Sequence, residues 1–164
     1  MKRTIMLMAT MALTVLLACG VAVAAEIQCT GDVDCFGTNQ ADTLTGTAEV
    51  DTIYGLGGPD LIYGLTSGDS LYGGSGGDEI RGGADSDIIV GAAGDDELRG
   101  GGDSDELSAG NGDDTVLGGA SVDFVDVSGD QQYGFQDEVF CGAVPGDLVE
   151  YDNNDILHGD CRLP

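Results

Sequence analysis

The sequence predicts an all-β fold: a parallel β-solenoid, that is a β-roll or β-helix, of nine-residue turn-strand repeats with eighteen residues per coil and disulfide-stapled caps. Three observations predict it: small residues at a constant step, an aspartate five places after each, and an aliphatic residue two places further on. The step begins at Gly37 and runs through Gly46, Gly55, Gly64, Gly73, Gly82, Gly91 and Gly100 to Ala109 and Gly118. The aspartates are Asp42, Asp51, Asp60, Asp69, Asp78, Asp87, Asp96, Asp105, Asp114 and Asp123. The aliphatics are Leu44, Ile53, Ile62, Leu71, Ile80, Ile89, Leu98, Leu107, Val116 and Val125. Ten units in phase with no insertion are a repeat architecture, not an accident of composition.

Within each unit, the first six residues are rich in glycine and suit a turn with positive φ and close backbone approach. The last three suit a short strand whose middle residue, the aliphatic, points inward. Positions seven and nine then face solvent, and they hold mostly polar or amphipathic residues such as Thr43, Glu79, Glu97, Arg81, Arg99 and Tyr54. One unit reverses the chain, so two make a coil and residues eighteen apart stack. The longer period is visible: Ala84-Asp85-Ser86-Asp87 is echoed by Gly102-Asp103-Ser104-Asp105, and Gly94-Asp95-Asp96 by Gly112-Asp113-Asp114. One edge of the solenoid is therefore richer in glycine at the fourth turn position, and the other carries Ser or Asp there.

Residues 1–25 read as a signal peptide, with Met1-Lys2-Arg3 before an apolar stretch and small residues at Ala22-Val23-Ala24, for cleavage after Ala24 or Ala25. Leu16-Leu17-Ala18-Cys19 also fits a lipoprotein box, which would leave the protein lipid-anchored through Cys19. Ordinary cleavage removes Cys19 and leaves an even set of cysteines, and export then favours two disulfides. Residues 26–36 form an N-terminal cap, in which Cys29 and Cys35 close a small loop. Residues 37–126 are the ten repeats, and 127–164 are degenerate repeats with a C-terminal cap. There the aspartate-x-aliphatic unit returns as Asp137-Glu138-Val139, Asp147-Leu148-Val149 and Asp155-Ile156-Leu157. Stacking Val139 under Leu157 brings Cys141 within disulfide reach of Cys161.

Thirty acidic residues against five basic ones give a formal charge of −25, which excludes nucleic acid as a partner and points to cations. So acidic a chain could be a disordered solvating tail, but such tails lack regular aliphatic spacing. Stacking places the ten aspartates in two columns with coils about 4.8 Å apart. Two carboxylates that close repel by roughly 3 kcal/mol at an effective dielectric near 20, so cations are expected between them. Calcium suits an all-oxygen donor set of flexible geometry, whereas magnesium demands a tight octahedron and keeps its water. One inward aliphatic per nine residues is also a thin core against the conformational entropy of the chain, so calcium binding is expected to be coupled to folding.

Gly73-Gly74-Ser75-Gly76-Gly77-Asp78-Glu79-Ile80-Arg81 resembles at every defined position the hemolysin-type, or repeats-in-toxin, nonapeptide GGxGxDxUx, with U aliphatic. The resemblance covers residues 37 to 126. It implies several calcium ions held between neighbouring turns of one edge by the ten aspartates and turn carbonyls, with the best turns from Asp60 to Asp114. The first two repeats, at Gly37 and Gly46, lack the second and fourth glycines, which puts their sites in doubt. Asp85 and Asp103 replace the fourth glycine and either add ligands or, preferably, only solvate the edge. The caps look like those of calcium-binding repeat proteins exported by the general secretory route.

No catalytic role is expected. His158 is the only histidine, there is no H-E-x-x-H motif, and the sequence reads as lacking a G-x-S-x-G nucleophile elbow. Catalytic domains that accompany such repeats have no counterpart between the signal segment and the first repeat. The alternative role is a calcium-rigidified structural or adhesion module for a cell-wall polysaccharide or a surface protein, using Tyr54, Tyr72, Ile88, Val90 and Phe124 on one sheet, unless these meet a cap. Ice binding expects a long Thr-x-Thr ladder, and only Thr43-Leu44-Thr45 fits.

Overall fold

Alternation along each unit decides which side chains turn inward, and the neighbouring coil decides which backbone groups pair. The computed structural model describes residues 24–30, 34–128, 134–142, 146–159 and 161–163. Most of the signal segment, with Cys19, lies outside the described residues. The strands are β1 (Ala25–Gln28), β2 (Cys35–Phe36), β3 (Asp42–Thr45), β4 (Thr52–Gly57), β5 (Leu61–Thr66), β6 (Ser70–Ser75), β7 (Glu79–Ala84) and β8 (Ile88–Ala93). They continue as β9 (Glu97–Gly101), β10 (Glu106–Asn111), β11 (Thr115–Gly119), β12 (Phe124–Asp126), β13 (Glu138–Phe140), β14 (Leu148–Glu150) and β15 (Ile156–His158). No helix occurs among the described residues, and hence none long and apolar enough to cross a membrane.

Odd strands form one parallel sheet in the order β1-β3-β5-β7-β9-β11-β13-β15, and even strands form the other, β14-β12-β10-β8-β6-β4-β2. The chain is thus an all-β parallel solenoid of about seven turns. Register follows the eighteen-residue coil: Leu44 pairs with Ile62, Ile62 with Ile80 and Ile80 with Leu98, while Ile53 pairs with Leu71 and Leu71 with Ile89. Every inward aliphatic from Leu44 to Val125 is at most 1 % exposed, so the core is two facing rows of single side chains.

The strands differ from the three-residue expectation. In the central coils they run five or six residues, from position seven through to position two or three of the next repeat. The position-one glycines are therefore inward-facing strand residues, and their φ angles are not positive. They are small for want of room: a Cβ on Gly64 would lie 2.5 Å from Asp69 Oδ2 and 2.6 Å from the Gly82 carbonyl. Positive φ falls instead at positions two and four, from Leu56 and Gly58 onward. Leu56 (φ 78) and Leu65 (φ 91) adopt it without being glycine, a conformation that costs an L-residue roughly 1–2 kcal/mol.

Both ends follow the expected pattern. Cys29 and Cys35 are bonded and buried, with Cys35 in register with Ile53 at the inward place, so the disulfide covers the first coil. Beyond Asp126 the coils resume: Val139 pairs with Val116 and Leu157, and Val149 with Val125. Cys141 and Cys161 are bonded, with Cα atoms 5.4 Å apart.

Candidate metal centre

Each position-six aspartate ends a turn just before a strand or, for Asp42, as its first residue, so its backbone adjoins the sheet. All ten are at most 3 % exposed. Their Oδ1 atoms knit the coils together: the Asp42 amide donates to Asp60 Oδ1, Asp60 to Asp78, Asp78 to Asp96 and Asp96 to Asp114, at 2.7 to 2.8 Å. On the other edge Asp51 donates to Asp69, Asp69 to Asp87, Asp87 to Asp105 and Asp105 to Asp123, at 2.8 to 3.0 Å. The ten predicted residues thus lie in two columns.

The columns run further than the predicted set. Asp137 Oδ1 accepts the Asp114 amide and Asp147 Oδ1 the Asp123 amide, across separations of 23 and 24 residues. The aspartate-x-aliphatic units beyond the repeats were the available signal, but the break in register hid which columns they extend.

The second oxygen sets the chemistry. Oδ2 of Asp60, Asp69, Asp78, Asp87, Asp96, Asp105 and Asp123 is buried without a hydrogen-bond partner. Loss of solvent pushes the carboxyls of Asp60, Asp69, Asp78 and Asp87 up from 3.8 to about 6, and those of Asp96 and Asp105 to about 7. Asp123 shifts upward for the same reason. The amide bond to each Oδ1 opposes the shift, and carboxylate neighbours add to it at Asp60, Asp69, Asp87, Asp96, Asp105 and Asp123. Desolvation therefore outweighs the like-charge repulsion that the sequence argument put first.

A buried carboxylate oxygen lacking a partner fits a hard cation, and carboxylate and carbonyl oxygens as the donors at hand fit calcium. Carbonyls crowd the same region: a Cβ on Gly76 would meet the carbonyl oxygen of the turn residue Gly58 at 2.5 Å, and one on Gly91 would meet that of the strand residue Ala109 at 2.7 Å. Among the described residues no three His, Cys, Asp or Glu side chains form a ready-made cluster, so one carboxylate per coil would need its neighbours and these carbonyls.

In the first two repeats the chain fills this place itself. Thr38 donates to Asp42 Oδ2 through its amide (2.6 Å) and its hydroxyl (2.8 Å), and Thr47 does the same for Asp51 at 2.6 and 2.9 Å. The threonines stand at position two, where the turns from Gly73 onward have Gly or Ala. Asp85 (φ 69) and Asp103 (φ 64) take the left-handed turn position as expected and are exposed.

The other singled-out residues lie apart from the columns. Tyr54, Tyr72, Ile88, Val90 and Phe124 do share the even sheet. Phe36, Tyr54 and Tyr72 stack with centroids 5.0 and 4.9 Å apart, so Tyr54 has both faces covered by aromatic neighbours. His158 Nε2 lies 2.7 Å from Glu138 Oε1, and the imidazole stacks on Phe140. The reading of no G-x-S-x-G needs correction: Gly73-Gly74-Ser75-Gly76-Gly77 matches those letters. The elbow itself is missing, since Ser75 ends β6, is exposed, and leads through a turn into strand β7, not a helix.

A family model described as the RTX calcium-binding nonapeptide repeat, four copies long, matches residues 36–71, 63–98 and 99–130. No curated protein and no solved structure matches the chain. With matched segments covering more than half of its length, and two columns of buried aspartates on the matching repeats, the chain belongs to the RTX calcium-binding nonapeptide repeat family.

Proposed function

We propose that this is an exported calcium-binding structural protein whose folding is coupled to several calcium ions held between successive turns. The ions are held by Asp60, Asp69, Asp78, Asp87, Asp96, Asp105, Asp114 and Asp123 together with turn carbonyls. Asp42 and Asp51 end their columns with threonine donors in the place of an ion. The observation that carries the reading is the repeated buried Oδ2 atom without a partner, seven times over, each beside the position-one glycine of its own repeat. Calcium, when bound, supplies the positive charge that offsets the desolvation of these carboxylates. The chain holds each Oδ1 on a neighbouring amide, which fixes the direction in which Oδ2 is presented.

Export is supported by the N-terminal sequence and by two disulfides, which persist in oxidising surroundings. The absence of a catalytic role is part of the proposal. Calorimetric titration and circular dichroism with and without a chelator test it together. The expected result is uptake of several calcium ions per chain at about 0.1 to 1 mM, with β structure gained on the same titration. A chelated protein already rich in β structure at about pH 8, above the range in which the buried carboxyls titrate, would overturn the coupling, and a flat titration at that pH would overturn calcium binding.

A further inference from the structure

The odd aspartate column does not end on a carboxylate. Each aspartate in it offers Oδ1 to the amide of the aspartate one coil earlier, and at the head of the column the donor is Ala25. Its nitrogen lies 3.0 Å from Asp42 Oδ1, and Ala25 stands in register with Asp42 as the first residue of β1. Asp42 is 3 % exposed and its Oδ2 is already held by Thr38. A single positive charge on the Ala25 nitrogen would complete it.

Sequence supplies that charge. Ala22-Val23-Ala24 is an A-x-A processing site whose scissile bond joins Ala24 to Ala25. Hydrolysis by a signal peptidase adds water across that bond: the Ala24 carbonyl carbon takes the hydroxyl and leaves as a carboxylate. The Ala25 nitrogen takes the proton and becomes an amine, which is protonated in neutral water. Cleavage one residue later would remove Ala25, the residue paired with Asp42. Processing before Cys19 would leave the Ala25 nitrogen a neutral amide.

We infer that the mature chain begins at Ala25 and that its α-ammonium group is the built-in cation that closes the odd aspartate column on Asp42. The inference rests on the export reading and adds to it a defined cut and a structural task for the new terminus. It makes removal of the signal segment a step in completing the fold, because the unprocessed chain lacks this charge.

The test expresses the full chain in a secreting bacterial host and measures the N-terminus of the exported product by intact mass and terminal sequencing. Its thermal midpoint in saturating calcium is compared with that of a chain carrying one glycine inserted between Ala24 and Ala25. The insertion keeps the Ala25 amide donor and moves the charge away. The expected results are a terminus at Ala25 and a midpoint lowered by a few degrees in the insertion chain. The difference should vanish when both chains carry Asp42→Asn. An exported product beginning at Glu26 or Cys19, or equal midpoints for the two chains, overturns the inference and leaves export standing. A chain retained unprocessed in the cell overturns both.

Discussion

Withdrawing calcium should make this fold fail on the alkaline side, the reverse of ordinary acid denaturation. The carboxyls of Asp60, Asp69, Asp78 and Asp87 lie at about 6 in the fold and those of Asp96 and Asp105 at about 7, against 3.8 for a free aspartate. A folded-state value above the unfolded one means that the folded chain binds more protons. The stability contribution of each group is then complete below about 3.8 and is lost as the pH climbs through 6 to 7. Ionising one such group removes roughly 3 kcal/mol, and roughly 4 for the two highest. A few of them together exceed the 5 to 15 kcal/mol by which a domain is typically stable. On the proposed sites calcium takes the place of the proton on the ionised group, so stability in calcium should hold above this range and fade as acid reprotonates the column. Far-ultraviolet circular dichroism in chelator, between about pH 5 and 8, should show β signal falling as the pH rises through the pKa range of the buried groups. The same scan in millimolar calcium should show it falling toward acid. A chelated signal that is flat across this range, or that decays toward acid, would refute the reasoning.

Four substitutions probe separate parts of the same structure. Asp96→Asn keeps an Oδ1 acceptor for the Asp78 amide and removes the charge, so it should destabilise the protein in calcium. In chelator it should move the loss of β signal to higher pH, and melts in calcium beside pH scans in chelator would show the opposite signs. Gly76→Ala places a Cβ against the Gly58 carbonyl at φ +126, and should cost about 2 to 4 kcal/mol by denaturant titration in calcium, whereas Asp85→Gly should be nearly neutral. Thr47→Val removes the hydroxyl bond to Asp51 and leaves the amide bond, so the melting point should fall by the equivalent of about 1 to 3 kcal/mol with calcium stoichiometry by calorimetry unchanged.

Much of the solenoid is legible in the sequence because the repeat is strict where packing is strict. The inward aliphatic row, the eighteen-residue stacking and both disulfides follow from spacing alone, since a coil of fixed length superimposes whatever recurs at its period. Strand length is less legible. Gly64 and its counterparts look like turn residues, yet they are strand residues kept small by the aspartate of their own repeat and a carbonyl of the next coil. The threonine donors at Asp42 and Asp51 are equally hidden, because Thr38 and Thr47 read only as missing glycines until the turn brings them over the carboxylate. Asp137 and Asp147 join the columns through an insertion that shifts their register by five or six residues relative to the eighteen-residue coil, and spacing cannot supply that correction.

Each column aspartate does two separable things, and the ends of the solenoid show the separation. Oδ1 sets coil-to-coil register on a backbone amide and needs no metal to do so. Oδ2 needs a donor or a cation, and near the ends the chain provides a donor: Thr38 for Asp42, Thr47 for Asp51, the Gly142 amide for Asp147 at 3.1 Å and the Asp152 amide for Asp155 at 2.7 Å. From Asp60 to Asp105 it provides none. Both disulfides lie at the self-satisfied ends. In a solenoid whose coils contact only their neighbours, stability is a sum of local terms, so the demand for metal is concentrated in the middle coils. The end coils are held by covalent bonds and by their own hydrogen bonds.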